Sequence, residues 1–295
     1  MSEEIQIEVG DSKIFGRKKS ASPSVDLDHP PLIVALHGGG FTSSYFDCGE
    51  YSLLDRASAA GCPCIAIDRP GYGLSTRIPE GDRAVPRNAK LLQTVISQIW
   101  RQRDFDASGV VLIGHSVGGG IVNYIASEIT DWPLIGVAFS GVLATPPSNI
   151  PPFWNDFRRD EWIHTPSEYR LPIMLGPPST YRQDAPALTN RISTTAWWGE
   201  VVDMFNLWPA ELAEVCAKIR VPVHCRVGAF DPTWAKEPED LDRFAKAFTR
   251  APVVDVKLVG NAGHCIEFHV VGDVFQREEI AFAIDCATRL ATEAT

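Results

Sequence analysis

The sequence predicts an α/β fold, a mainly parallel, doubly wound sheet interrupted by a largely helical insertion. Short runs of continuous apolar, β-branched residues end in Gly, Asp, His or Ser, the pattern of strands buried on both faces. Longer mixed segments with apolar residues at helical spacing separate most of these runs, and that alternation reads as βαβ units. The alternation stops between about residues 142 and 218, which marks the insertion.

Taken in order, the expected strands lie in "PPLIVALHG" (30–38), "CPCIAIDRPG" (62–71), "GVVLIGHS" (109–116), "PLIGVAFSG" (133–141), "VPVHCRVGAFD" (221–231) and "PVVDVKLVGNAGH" (252–264). Helical spacing is clearest in "RNAKLLQTVISQIWRQ" (87–102) and "EDLDRFAKAFTR" (239–250). The insertion follows the sixth position of the sheet and holds "TPPSNIPPFW" and "LPIMLGPPSTY", too proline-rich for buried strands. It also carries five of the eight tryptophans, Trp154, Trp162, Trp197, Trp198 and Trp208. Its segment 197–219 reads as a helix, and on a continuous helix Trp198 and Trp208 share one broad face. The chain is therefore expected to divide into a core, 1–141 and 219–295, and an insertion, 142–218.

Composition narrows the function. With 45% hydrophobic and 22% charged residues over 295 positions, a sizeable core is available. A net charge of −10 argues against a nucleic-acid groove or an anionic membrane surface, both of which need clustered Lys and Arg. "MSEEIQIEVG" carries acids where a signal peptide carries bases, and no stretch is long and apolar enough for a membrane span. A cytoplasmic protein is expected. Of the seven scattered cysteines several fall within apolar runs, and they read as reduced, packed thiols, with one disulfide among them as the alternative.

The chemistry is concentrated at Gly114-His115-Ser116-Val117-Gly118, a G-x-S-x-G pattern between an expected strand and the helix "IVNYIASEI". Glycines two residues to either side allow a turn tight enough to hold Ser116 strained with its hydroxyl exposed. The Val117 N–H then sits at a helix N-terminus, where it favours a developing anion. Competing signatures fail: the glycine-rich stretches miss the last glycine of the dinucleotide fingerprint, no G-x-x-x-x-G-K-[ST] occurs, Cys62-Pro-Cys64 has no CxxC partner, and HExxH is absent.

"HGGG" (37–40), "DRPGYGLS" (68–75), "GHSVGG" (114–119), "GAFD" (228–231) and "GNAGH" (260–264) together resemble the α/β-hydrolases, over about residues 30 to 285. The resemblance implies a triad in the order Ser116, Asp231, His264 and makes the insertion a lid. Ser116 needs a base within hydrogen-bond reach; His264 can take its proton and return it to the leaving group; Asp231 holds one tautomer of the ring. Among the other histidines, His37, His115 and His224 sit in or beside strands, His29 and His164 carry no motif, and His269 is the competitor for the base. The family draws one oxyanion donor from its HG loop, which implies Gly39 with Gly40 beside it, opposite Val117. Serine rather than aspartate at the elbow argues against relatives that open epoxides or displace halide.

The implied activity is cofactor-independent and metal-free hydrolysis of an ester, thioester or lactone of a small lipophilic molecule through an acyl-enzyme. Phe41, Tyr45, Trp234, Trp197 and Trp198 are the expected pocket lining, with Ser43 and Ser44 beside them. A carbon–carbon bond hydrolase or lyase with the same triad is a second reading, whose sign is a polar cluster holding a substrate carboxylate; Arg158, Arg159, Arg182 and Arg191 are its candidate sources. A non-catalytic ligand receptor is the third.

Overall fold

An antiparallel hairpin, β1 (Glu3–Val9) and β2 (Ser12–Lys19), opens the chain, and the search for continuous apolar runs passes over it because its residues alternate. A computed structural model describes residues 2–25, 27–102, 104–147 and 157–293. The expected runs each contain a strand: β3 (Pro31–Leu36), β4 (Cys64–Ile67), β5 (Gly109–His115), β6 (Leu134–Ser140), β9 (Val223–Gly228) and β10 (Val254–Val259). With the hairpin they form, among the described residues, one eight-stranded sheet in the order β1-β2-β4-β3-β5-β6-β9-β10. β2 pairs antiparallel with β4, and every pairing from β4 to β10 is parallel.

Strand alternation sends β3 into two cores. Leu32, Val34 and Leu36 pack with α2 (Ala84–Gln102), α3 (Val117–Ala126) and α8 (Pro238–Lys246) on one face. Ile33 and Ala35 pack with α1 (Leu53–Ala59) and α9 (Gly272–Glu293) on the other. Both faces are thus covered, which is why the strands read as continuous apolar runs. In α2 the stripe Val85, Ala89, Leu92, Ile96 and Ile99 recurs at helical spacing and faces the sheet. The two edge strands are the least covered: β1 exposes Glu3, Glu4, Gln6 and Glu8, and β10 exposes Lys257 and Leu258.

Between β6 and β9 run a two-stranded antiparallel pair, β7 (Trp162–Ile163) and β8 (Ala196–Trp197), and the helices α4 (Ser167–Met174), α5 (Ala185–Ile192), α6 (Trp198–Val202) and α7 (Trp208–Lys218). Asp203–Leu207, joining α6 to α7, is π-helical, with Trp208 N–H bonded to the Asp203 carbonyl five residues back. The extra residue in that turn breaks the uniform phase expected across 197–219. Trp208 and Trp198 consequently diverge: Trp208, with Leu212, Val215 and Cys216, joins the core cluster of α2 and α3, and its Nε1 donates to the Leu143 carbonyl at 2.8 Å. Trp154 lies outside the described residues.

All seven cysteines are buried and free of disulfides, and burial pushes every thiol above its ordinary pKa. Among the described residues no helix is long and apolar enough to cross a membrane.

Candidate active site

Ser116 sits between β5 and α3 at φ +53° and ψ −120°, a conformation that costs a non-glycine residue about 1–3 kcal/mol. The turn is pinned on both sides, by Ser116 N–H to the Ser140 carbonyl (2.8 Å) and Gly120 N–H to the Ser116 carbonyl (3.1 Å). One glycine is obligatory behind it: a Cβ on Gly118 would lie 2.0 Å from the Leu36 carbonyl oxygen, so α3 can lie this close to β3 only without one. Ser116 is left half-buried in the wall of a cavity that includes His264.

Asp231, in the turn after β9, is fully buried, and its Oδ2 lies 2.7 Å from His264 Nδ1. Oδ1 accepts from the Thr233 amide (2.8 Å) and hydroxyl (2.6 Å). Burial alone would raise the carboxyl, but His264 and the two Thr233 donors outweigh it and hold Asp231 below the usual carboxylate range. His264 hangs in the loop after β10 and needs space on its far side. Gly141, at φ +68°, provides it: a Cβ there would meet the ring at 2.7 Å from Cε1. Trp234 fixes that backbone by donating Nε1–H to the Gly141 carbonyl at 2.7 Å.

Two further histidines support this one. His115, with its ring centroid 4.8 Å from that of His264, stacks on Tyr45 and sits 3.0 Å from Ser140 Oγ. Burial first, then the neighbouring His264 and His37, push its pKa well below the ordinary value, so it stays neutral beside the His264 ring. His269, the expected competitor, points elsewhere: its Nε2 accepts from Gly263 N–H (2.8 Å) and its Nδ1 faces the Cys265 carbonyl (2.8 Å). It secures the loop that carries His264.

Gly39, Gly40 and Val117 line the same cavity as Ser116. Arg69, which sequence reasoning quoted within a motif without giving it a role, grips the loop from behind. Its Nε donates to the His37 carbonyl (2.7 Å) and its Nη2 to the Gly38 carbonyl (3.2 Å). A trans peptide places its C=O and N–H on opposite sides, so holding the Gly38 carbonyl directs the Gly39 N–H the other way. Glu200 of α6 neutralises Arg69 and also accepts from Tyr72 (2.6 Å) and Asn88 (2.8 Å).

The cavity encloses about 830 Å³, its open mouth included. Trp234 and Trp198 line it; Phe41, Tyr45 and Trp197 do not. Phe41 and Tyr45 turn into the α1–α9 core, where the Tyr45 hydroxyl donates to Glu267 at 2.5 Å, and Ser43 donates its amide to Asp68. Trp197 stacks on Trp162 and bonds the Arg159 carbonyl. The lining that sequence reasoning missed comes from Arg170, Ile173 and Met174 of α4 and from Val201 and Phe205. Arg158, Arg159 and Arg182 are paired with Asp160, Asp203 and Glu50, and neither they nor Arg191 reach the lining. Among the described residues no group of three or more His, Cys, Asp and Glu is arranged to hold a metal ion.

Comparison with known proteins agrees with this architecture. A monoglyceride lipase from Saccharomyces cerevisiae superposes with a TM-score of 0.71 at 16% identity, over 97% of this chain and 96% of that one. An N-acyl homoserine lactonase gives 0.68 at 19% identity, over 96% and 98%. The thioesterase domain of the curacin biosynthetic pathway gives 0.60 at 15% identity, over 96% and 99%. In sequence, protein phosphatase methylesterase 1 of Schizosaccharomyces pombe is 29% identical over 99 residues, 34% of this chain and 28% of that protein's length. The profile of the alpha/beta hydrolase family matches residues 33–276, and the chain belongs to that family.

Proposed function

We propose that the protein is a serine hydrolase that cleaves an ester, thioester or lactone of a small lipophilic molecule through an acyl-enzyme. The observation that carries this reading is the strained Ser116 sharing one cavity with His264, whose other ring nitrogen is held by a buried, ionised Asp231. Support for the bond type comes from relatives named lipase, lactonase, thioesterase and methylesterase.

In this reading the Nδ1–H of His264 donates to Asp231, which leaves Nε2 unprotonated and able to accept the Ser116 proton. Ser116 Oγ attacks the carbonyl carbon, and the oxyanion forms against the N–H groups of Gly39, with Gly40 beside it, and Val117. Collapse expels the alcohol or thiol, which takes the proton from Nε2. A water then repeats the sequence on the acyl-enzyme and releases the acid. The nucleophile, base and anion donors are all protein groups, so the cycle calls for no cofactor. Residues 142–218 act as a lid, in which α4, α6 and the π turn cover the acyl site and α7 ties the cover to the core.

The test is a fluorophosphonate followed by peptide mass mapping, together with a series of p-nitrophenyl esters. Label on Ser116 and ester turnover that vanishes in Ser116→Ala are expected. Undiminished hydrolysis by Ser116→Ala rejects the assignment, and a wild type that binds apolar esters without turning them over leaves a ligand receptor.

A further inference from the structure

Arg170 projects from α4 into the wall of the cavity with only 7% of its surface exposed. Its partners are neutral: Nη1 donates to the Thr189 carbonyl at 3.2 Å and Nη2 to the Asn190 side-chain oxygen, while Nε has no hydrogen-bond partner. Among the described residues the ionisable group that acts on it is Cys265, whose burial keeps it a neutral thiol. By contrast, Arg69, wholly buried, has Glu200, and the insertion's Arg158, Arg159 and Arg182 each have a carboxylate. Among the described residues that line the cavity none is acidic. A guanidinium withdrawn from water without a counter-ion is costly and persists where something else completes the pair. In a chain of net charge −10, Arg170 is the one Lys or Arg among the described residues that line this mainly apolar cavity.

We propose that Arg170 selects substrates bearing a carboxylate at the end of the molecule away from the scissile bond, the carboxylate pairing with the guanidinium while Ile173, Met174, Val201 and Phe205 enclose the apolar span between. This deepens the function proposed above and rests on it. A planar carboxylate matches the guanidinium, and desolvation by the surrounding apolar residues strengthens the pair.

The probes are the mono-p-nitrophenyl ester of adipic acid and p-nitrophenyl hexanoate, of equal chain length, compared by kcat/KM after subtraction of spontaneous hydrolysis. Wild-type protein is expected to favour the adipate ester at least about tenfold, the scale of a hydrogen bond to a charged group. The ratio collapses in Arg170→Met, survives in part in Arg170→Lys, and falls in the wild type as acidification from about pH 6 to about pH 4 protonates the substrate carboxylate. Thermal unfolding of each variant separates loss of selection from loss of fold, and the pH arm needs no variant. A wild-type ratio near one, or a ratio unchanged in Arg170→Met, overturns the proposal. If neither ester is hydrolysed, the hydrolase reading fails, and Arg170 is judged by calorimetry with hexanoate and hexanamide. Tighter binding of the anion, abolished in Arg170→Met, upholds the anion site; equal affinities refute it.

Discussion

Arg69 and Glu200 meet at 2.5 Å with both side chains wholly removed from solvent, which joins the loop after β4 to the first helix turn of α6. Removing one partner strands the other. Glu200→Gln is expected to destabilise the fold by about 3–5 kcal/mol, the scale for breaking a buried pair, and to lower kcat as the Gly38 carbonyl loses its anchored donor. Urea unfolding beside ester kinetics checks this; a loss under about 1 kcal/mol would show that the pair behaves like a surface contact.

Ser116 holds its backbone strain whatever its side chain does. Ser116→Ala and Ser116→Gly are both expected to lose at least about a thousandfold in kcat/KM, yet they should differ in stability. Glycine accepts φ +53° without strain, so the glycine variant should be more stable than the alanine variant by about 1 kcal/mol after its extra unfolded-state entropy is counted. Equal melting temperatures would locate the strain elsewhere.

The two tryptophans on either side of the π turn should separate by assay. Trp208→Ala opens the core shared by α2 and α3 and is expected to cost about 3–5 kcal/mol for every substrate alike. Trp198→Ala widens the cavity and should weaken long acyl esters about tenfold more than acetyl esters. An acyl-length series run beside thermal unfolding distinguishes the two; identical profiles would return Trp198 to the core.

Glu267, buried beneath the site, has its carboxyl raised from 4.5 to about 7 by burial, against the opposing hydrogen bond from Tyr45. Between those values the unfolded chain releases this proton while the folded chain keeps it. Stability therefore falls as pH rises through that window, by about 3 kcal/mol for a shift of this size. Glu279, raised by burial and by Glu267 itself, adds to the fall. Glu267→Gln should gain stability relative to wild type between about pH 5 and about pH 8, measured by urea unfolding at both; parallel pH curves would contradict it.

The parallel strands were legible because burial on both faces leaves a one-dimensional mark, the unbroken apolar run. The β1–β2 hairpin left only alternation, and its acidic first residues drew attention to charge instead. Ser116, Asp231 and His264 stood out because each closes a strand in a recognisable motif. The lining did not stand out, since it depends on which way helices turn after docking. Phe41 and Tyr45 follow the glycines in sequence but rotate into the α1–α9 core, and the π turn carries Trp208 out of the phase that places Trp198 at the cavity. Sequence reasoning singles out the insertion's four other arginines and passes over Arg170, because only folding decides which of them finds a carboxylate.

The seven buried thiols make the molecule its own recorder of opening events. Cys64 and Cys225 lie in strands paired on both sides, Cys216 and Cys286 on helices of opposite faces, and Cys265 immediately after His264. None carries appreciable thiolate in the native state, so a disulfide-exchange reagent reacts only when the surrounding element breathes. Exchange rates resolved by peptide would then rank the sheet, the two helical layers and the histidine loop by how often each lets go, with no cysteine added to the chain.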